Sequence, residues 1–123
     1  MDLETSLKGM MSAEEALRSQ QGVDNPAYMS KWMARLSTHT SAVEAKLAEY
    51  EKDYELTYAK KLSQCMFKEN MKVTQAERTV DIETAELKGQ IKYLTRLVAS
   101  AWKQVGVTQS RFNHLVTLAS TQV

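Results

Sequence analysis

The chain has 123 residues, of which 43% are hydrophobic and 25% are charged, and its formal net charge is +1. This length allows one domain, and four glycines with one proline are too few for the turns of an all-β fold. An acidic start and the lack of an apolar run of about 18 residues argue against a signal peptide and a membrane span. We therefore expect a cytoplasmic, all-α protein of one domain.

Residues 1–25 are predicted to form an entry segment with one short helix. Ser12-Ala-Glu-Glu15 has the spacing of a capping box, which predicts a helix from there to about Gln20 that ends at Gly22. Asp24-Asn25-Pro26 is a stronger start signal, because an Asx N-cap is followed by proline at the first helical position. A long helix is therefore expected to begin at residue 26.

The first long helix is predicted over residues 26–68. No glycine or proline occurs between residues 27 and 68, and apolar residues recur every three or four positions except near His39. This apolar stripe comprises Met29, Trp32, Met33, Leu36, Val43, Leu47, Tyr50, Tyr54, Tyr58, Leu62 and Cys65. Its tyrosines form either a base-stacking ladder or part of a core, and the shared apolar face favours a core. Cys65, the single cysteine, is either a reactive thiol or a small buried apolar residue, and its place on the stripe favours the latter.

The apolar period is lost between Phe67 and Val73, which predicts a turn over residues 69–74. Thr74-Gln-Ala-Glu77 has capping-box spacing, so a second long helix is predicted over residues 75–119. Gly106 within it marks either a kink or a C-cap before a short terminal helix. The second apolar stripe comprises Val80, Leu87, Ile91, Leu94, Val98, Trp102 (or Ala101), Val105, Phe112, Leu115 and Ala119. The expected fold is an antiparallel hairpin of two long helices with a short N-terminal helix.

The charges are distributed unevenly along the chain. Up to Glu86 there are 11 Lys and Arg residues against 15 Asp and Glu residues, whereas residues 87–123 contain five basic residues and no acidic residue. A segment of this kind creates a positive local potential that favours polyanions.

No arrangement of residues in the sequence is typical of an enzyme. The chain lacks a glycine-rich phosphate loop, Cys/His metal spacing and a nucleophile elbow, and its two histidines, His39 and His114, are isolated. The acidic residues around Glu51 alternate with lysines, as on a solvated helix face. We therefore expect neither catalysis nor a cofactor or metal.

The basic residues are the best candidates for a binding function. At about 100° per residue, Lys88, Lys92, Arg96 and Lys103 fall within roughly 80° of the second helix. Such a face binds a phosphate backbone without reading its sequence, or it only keeps the protein soluble, and the sequence leaves both possibilities open. Tyr93, beside Lys92, is the best base-stacking candidate. The full set of candidate nucleic-acid contacts is Lys60, Lys61, Lys68, Lys72, Lys88, Lys92, Tyr93, Arg96, Lys103 and Arg111.

Two segments resemble the UvsY family of T-even phage recombination mediators. Tyr28-Met29-Ser30-Lys31-Trp32 is similar to the Tyr-Ser-Lys-Trp opening of that family's first long helix. Tyr93, Leu97, Ser110-Arg111 and His114 are similar to its C-terminal helix. The resemblance covers roughly residues 13–119.

The resemblance implies an all-helical protein that forms rings, binds single-stranded DNA and helps the phage recombinase displace the single-strand-binding protein in the host cytoplasm. It places the family's DNA-contacting basic pair beside Lys60 and Lys61 if one residue of gap is allowed. The chain departs from the family after that helix, where a shorter segment, Cys65–Val73, replaces a glycine-rich and acid-rich turn. This departure leaves the DNA-binding geometry of that region open.

Two functions of different classes follow. The first is a recombination mediator, a homo-oligomer that binds single-stranded DNA without sequence preference; the second is a small helical inhibitor or adaptor that docks on a host protein. Self-association is expected because two long apolar stripes expose more surface than one chain can cover. The predicted oligomer interface comprises Trp32, Leu36, Tyr54, Leu94, Val98 and Trp102, and we expect Trp102 and Leu94 to be buried in the hairpin or in a subunit interface.

Overall fold

The computed structural model describes residues 2–121, and every regular element within them is an α-helix. The helices are α1 (Leu3–Arg18), α2 (Gln20–Asp24), α3 (Pro26–Phe67), α4 (Val73–Glu83) and α5 (Ala85–Thr121). The predicted all-α class is therefore confirmed for the described residues. The hairpin arrangement of two long helices and the assembly into an oligomer stay predictions.

The N-terminal segment is more helical than its sequence predicted. Asp2 has an extended backbone, and its carboxylate accepts the Thr5 backbone N–H at 2.8 Å, which starts α1 and lowers the pKa of Asp2. Ser12 lies inside α1, so the capping box predicted there is wrong. A side chain caps a helix only from an extended residue just before it, and Ser19 does so for α2 by accepting the Gly22 N–H at 3.3 Å.

The predicted start of the first long helix is confirmed. The Asn25 side-chain oxygen accepts the Tyr28 backbone N–H at 3.2 Å, and Pro26 is the first residue of α3. The predicted turn is also present: α3 ends at Phe67, and Asn70 adopts a left-handed backbone with a φ of 54°. Asparagine tolerates this conformation better than most residues, so it allows the chain to reverse there.

The second long helix is divided where the sequence gave no signal. The residue before α4 is Lys72, which makes no side-chain capping bond, so the capping box predicted at Thr74 is wrong. Thr84 separates α4 from α5, and its hydroxyl donates a hydrogen bond to the Val80 carbonyl at 2.7 Å. In contrast, α5 continues through Gly106 to Thr121, so there is no C-cap at Gly106.

The chain divides into two compact units. One, the terminal unit, comprises residues 2–45 and 96–121 of the described range, and the other, the middle unit, comprises residues 46–95. The buried apolar side chains of the terminal unit are Met10, Ala13, Leu17, Met29, Leu36, Val43, Val98 and Ala101. Its α1 helix explains the polar gap in the α3 stripe, because the His39 imidazole lies directly against Gly9 and leaves no room for a side chain there.

The middle unit has a smaller core at the turn between α3 and α4. Cys65, Ala76 and Val80 are buried there, and half-buried side chains pack around them: Tyr58, Leu62, Met66 and Met71. Burial raises the pKa of the Cys65 thiol, and the nearby Glu69 and Glu83 carboxylates raise it further. Cys65 is therefore a buried residue of the core, as its place on the apolar stripe predicted.

Trp102 does not lie in the core of the single chain, where the alternative Ala101 takes that place, and burial of Trp102 in a subunit interface stays a prediction. Ala101 is fully buried at the equivalent point of α5, whereas the Trp102 side chain is 36% exposed. The Trp102 indole N–H donates to the Glu44 carboxylate of α3, so the ring lies across the surface of the terminal unit. A small residue fits at the centre of this helix pair, and the large ring is placed beside it.

Candidate nucleic-acid interface

The terminal unit carries the basic residues that have the fewest acidic neighbours in sequence. Arg96, Lys103 and Arg111 are all exposed on α5, and this helix contains no carboxylate after Glu86. Arg96 and Lys103 are seven residues apart, which places them on one face about 10 Å apart along the axis. Among the described residues, none of these three forms an ion pair within 4 Å. No ion pair therefore takes up their charge, and the carboxylate of another helix placed beside this part of α5 is that of Glu44, which accepts the Trp102 indole N–H.

The basic residues at the start of α5 have a different environment. Lys88 and Lys92 are exposed, but they line a groove of the middle unit whose other side carries Glu51 and Glu55. Tyr54 and Ile91 also line this groove. Two carboxylates within one screening length oppose the approach of a phosphate, so this groove is close to neutral as a binding surface. The predicted basic face is thus divided between two regions of unequal charge.

The Lys60–Lys61 pair is also partly compensated. The Lys61 ammonium forms an ion pair with the Glu83 carboxylate at 3.1 Å, and the Lys61 side chain is half-buried. Lys60 is exposed on the neighbouring face of α3, and Lys68 and Lys72 are exposed on either side of the turn at Asn70. This cluster of four lysines, of which the resemblance implies only Lys60 and Lys61, therefore offers three exposed ammonium groups.

The tyrosines divide between packing and exposure. The Tyr54 and Tyr58 rings form a tilted pair with centroids 5.9 Å apart, and both residues are half-buried. Desolvation raises the pKa of Tyr58, and the adjacent Asp81 carboxylate raises it further. These two rings are packed in the middle unit, which favours a structural role over a stacking ladder. Tyr93 is 61% exposed and is accessible for stacking.

The residues predicted for an oligomer interface differ in how much surface they leave uncovered. Leu36, Leu94 and Val98 are buried within the chain, so they leave almost no surface for a second copy. Trp32 and Tyr54 are half-buried, and Trp102 is partly exposed. Larger apolar surfaces belong to side chains that the sequence reasoning did not select: Leu56 (61% exposed), Phe67 (78%) and Ile82 (73%) of the middle unit. These three residues lie outside the spacing of three and four residues that defines the apolar stripes, so the stripes did not include them.

The chain has no match among protein-family models, curated proteins or solved structures. The resemblance to the recombination mediators therefore stays an expectation from the sequence. No helix within residues 2–121 has the length and apolar character needed to cross a membrane. In the same range, no group of three or more His, Cys, Asp or Glu side chains is placed to hold a metal ion.

Proposed function

We propose that the protein is a sequence-nonspecific single-stranded DNA-binding protein of the recombination mediator type. As a homo-oligomer it would help load a recombinase onto strands covered by a single-strand-binding protein. The observation that carries the proposal is the set of exposed cations on the acid-free part of α5: Arg96, Lys103 and Arg111. Because the nearest acidic residue along α5 is Glu86, almost three turns before Arg96, these side chains keep their attraction for phosphate.

The mechanism would depend on charge and repetition, without catalysis. Each contact with a phosphate releases counterions and is indifferent to the base, so one chain binds weakly and without sequence preference. Several chains in one assembly multiply these contacts through effective concentration. Such an assembly would hold the strand in an extended form that a recombinase can take over.

Self-association would also cover the exposed apolar side chains of the middle unit. Leu56, Phe67 and Ile82 each expose more than half of their surface, and an interface with a second copy would remove this apolar surface from water. Sedimentation equilibrium should therefore detect species heavier than the 13.9 kDa chain at micromolar concentration. A single 13.9 kDa species would remove the oligomeric part of the proposal.

The alternative function, a helical inhibitor or adaptor of a host protein, is favoured by the same apolar residues. The surface of the middle unit has nine basic and nine acidic residues, so it lacks the charge excess of a polyanion-binding surface. An adaptor would use Leu56, Phe67 and Ile82 for docking and would not need the cations of α5. The two functions therefore depend on different units.

The test is a fluorescence-anisotropy titration with labelled oligo(dT) at two salt concentrations. A mediator should bind more weakly at the higher salt, with a log K versus log[salt] slope that reports the number of phosphate contacts, at about 0.7 per contact on single strands. An oligonucleotide of mixed sequence should bind with similar affinity. If no binding is measurable at low salt, the proposal is wrong and the adaptor function replaces it.

A further inference from the structure

Four residues in the first turns of α3 form an aromatic and cationic cluster. Tyr28, Lys31, Trp32 and Arg35 are spaced by three, four and seven residues, which places them on one face of the helix. The Arg35 guanidinium carbon lies 4.5 Å from the centroid of the Trp32 ring, and the Lys31 ammonium lies 5.6 Å from it. The Tyr28 ring is 6.0 Å from the same ring. We call these four residues the Trp32 cluster.

The charge of this cluster is not compensated nearby in the sequence. Residues 25–43 contain Lys31 and Arg35 but no carboxylate, which makes them a second acid-free segment of the terminal unit. Lys31 and Arg35 are both exposed, and neither forms an ion pair within 4 Å among the described residues. By contrast, the two cations of α1, Lys8 and Arg18, are each paired with a glutamate of the same helix.

The geometry of the ring limits what the cluster can bind. The Trp32 indole nitrogen is buried and has no hydrogen-bond partner, so the solvent-accessible part of the ring is not its N–H edge. The Trp32 side chain is half-buried, and the exposed Arg35 guanidinium lies over its ring. Nucleobases stack on aromatic rings and on guanidinium planes, while the positive charge attracts the adjoining phosphate. A second copy of the same cluster fits poorly, because a symmetric contact would bring like charges together.

We propose that the Trp32 cluster is a base-stacking site for single-stranded nucleic acid, in which a base stacks on Arg35 and Trp32 and Lys31 contacts the flanking phosphate. The inference rests on the proposed function, because it adds a base contact to a protein that binds the strand. It differs from the α5 cations in one respect: the affinity it contributes comes from the base, so it survives at a salt concentration that screens phosphate contacts.

The experiment uses the full chain and separates stacking from charge. Arg35→Lys keeps the charge and removes the guanidinium plane, and Arg18→Lys makes the same change on α1 as a control. Arg35→Lys should weaken oligo(dT) binding by about fivefold, the loss expected from about 1 kcal/mol of stacking. The salt slope should be unchanged, and Arg18→Lys should bind as the parent does.

A second readout follows the ring itself. In a Trp102→Phe chain, Trp32 is the remaining tryptophan, and its emission should be quenched by oligo(dT) but not by an abasic oligomer of equal charge. Parental binding by Arg35→Lys, together with unquenched Trp32, would overturn the inference while leaving the proposed function intact. Failure of the parent to bind any oligonucleotide would overturn both. A changed sedimentation profile for Arg35→Lys with unchanged DNA affinity would assign the cluster to a contact between copies and would also overturn it.

Discussion

The terminal and middle units differ in both packing and charge. The terminal unit has a core in which Met10, Leu17, Met29 and Leu36 are at most 2% exposed, whereas α3 has no fully buried side chain between residues 48 and 64 in the middle unit. The charges show the opposite trend. Residues 25–45 and 96–121 of the terminal unit carry five cations and one carboxylate, and the middle unit carries equal numbers of each. Residues 2–24 of the terminal unit add two cations and five carboxylates, so its excess of cations is confined to residues 25–45 and 96–121.

This difference suggests a division of roles between the units. Uncompensated cations serve phosphate binding best when their helices are held in fixed positions, and the core of the terminal unit supplies that rigidity. The middle unit leaves large apolar side chains uncovered and balances its lysines with nearby carboxylates. Those features suit contacts with protein, either a second copy or a partner. The following predictions test this comparison, from the largest expected effect to the smallest.

The largest contrast is expected between leucines of the same helix. Leu36→Ala in the terminal unit should lower the free energy of unfolding by about 2–5 kcal/mol, because the side chain is fully buried and leaves a cavity. Leu62→Ala in the half-buried stripe of the middle unit should cost less, and Leu56→Ala should change stability by about 0.5 kcal/mol or less. Urea titrations of the three variants measure these differences. Equal losses for Leu36 and Leu56 would contradict the contrast in packing.

Alanine substitutions at two glycines of the terminal unit are expected to change the free energy of unfolding by smaller amounts and in opposite directions. A Cβ at Gly22 would collide with the backbone of Ala16 and Leu17, which cannot move without displacing α1, so Gly22→Ala should destabilise the protein by about 1–3 kcal/mol. Gly106 lies within α5, and an added Cβ there meets no atom within 4 Å. Gly106→Ala should therefore stabilise by about 0.5–1 kcal/mol. Thermal unfolding of both variants provides the measurement, and a destabilising Gly106→Ala would indicate a kink or contact at that point.

The chemistry of Cys65 tests the small core of the middle unit. Its pKa is raised above the ordinary value of 9.0, so below that pH the folded protein contains less thiolate than an unfolded chain. Modification by a thiol reagent should be slower in the folded protein than in urea, and the difference should persist as the pH rises toward 9.0. Equal rates in the two states would show that the core around Cys65 opens freely.

The sequence predicted the helix boundaries where a local signal decides them. Asn25-Pro26 starts α3 and the segment after Phe67 contains the turn, because capping and the loss of apolar period are local properties. Asp2 is a capping residue of the same class as Ser12, but only the backbone conformation distinguishes the real cap from the false one. No glycine or proline lies at the helix break at Thr84, so the apolar pattern of the second stripe did not predict this break.

The candidate site was predictable in composition but not in environment. The acid-free α5 segment is visible in the sequence, and its cations are exposed as expected. The partners of Lys61, Lys88 and Lys92 come from helices distant in sequence, so their compensation by carboxylates required the tertiary structure. The same is true of Trp102, whose indole binds Glu44 from 58 residues away. Residues 25–43 gave an available signal for the Trp32 cluster, since they too lack acidic residues.

The Lys60–Lys61 pair and the α5 cations are two separate predictions of where DNA binds, and they can be tested separately. A Lys60→Ala/Lys61→Ala variant tests the pair, and we expect a weaker effect than from the α5 cations because Lys61 is already paired with Glu83. Anisotropy titration at low salt measures the difference. A complete loss of binding in this variant would instead support the family site and would weaken the case for the terminal unit.

The most direct test of the central claim compares two double variants on the same helix. Arg96→Gln/Lys103→Gln removes two uncompensated charges of the terminal unit, and Lys88→Gln/Lys92→Gln removes two that face Glu51 and Glu55. The first should weaken oligo(dT) binding and flatten the log K versus log[salt] slope by about 1.4, whereas the second should leave the slope nearly unchanged. Equal effects of the two variants, or a larger effect of the second, would contradict the account.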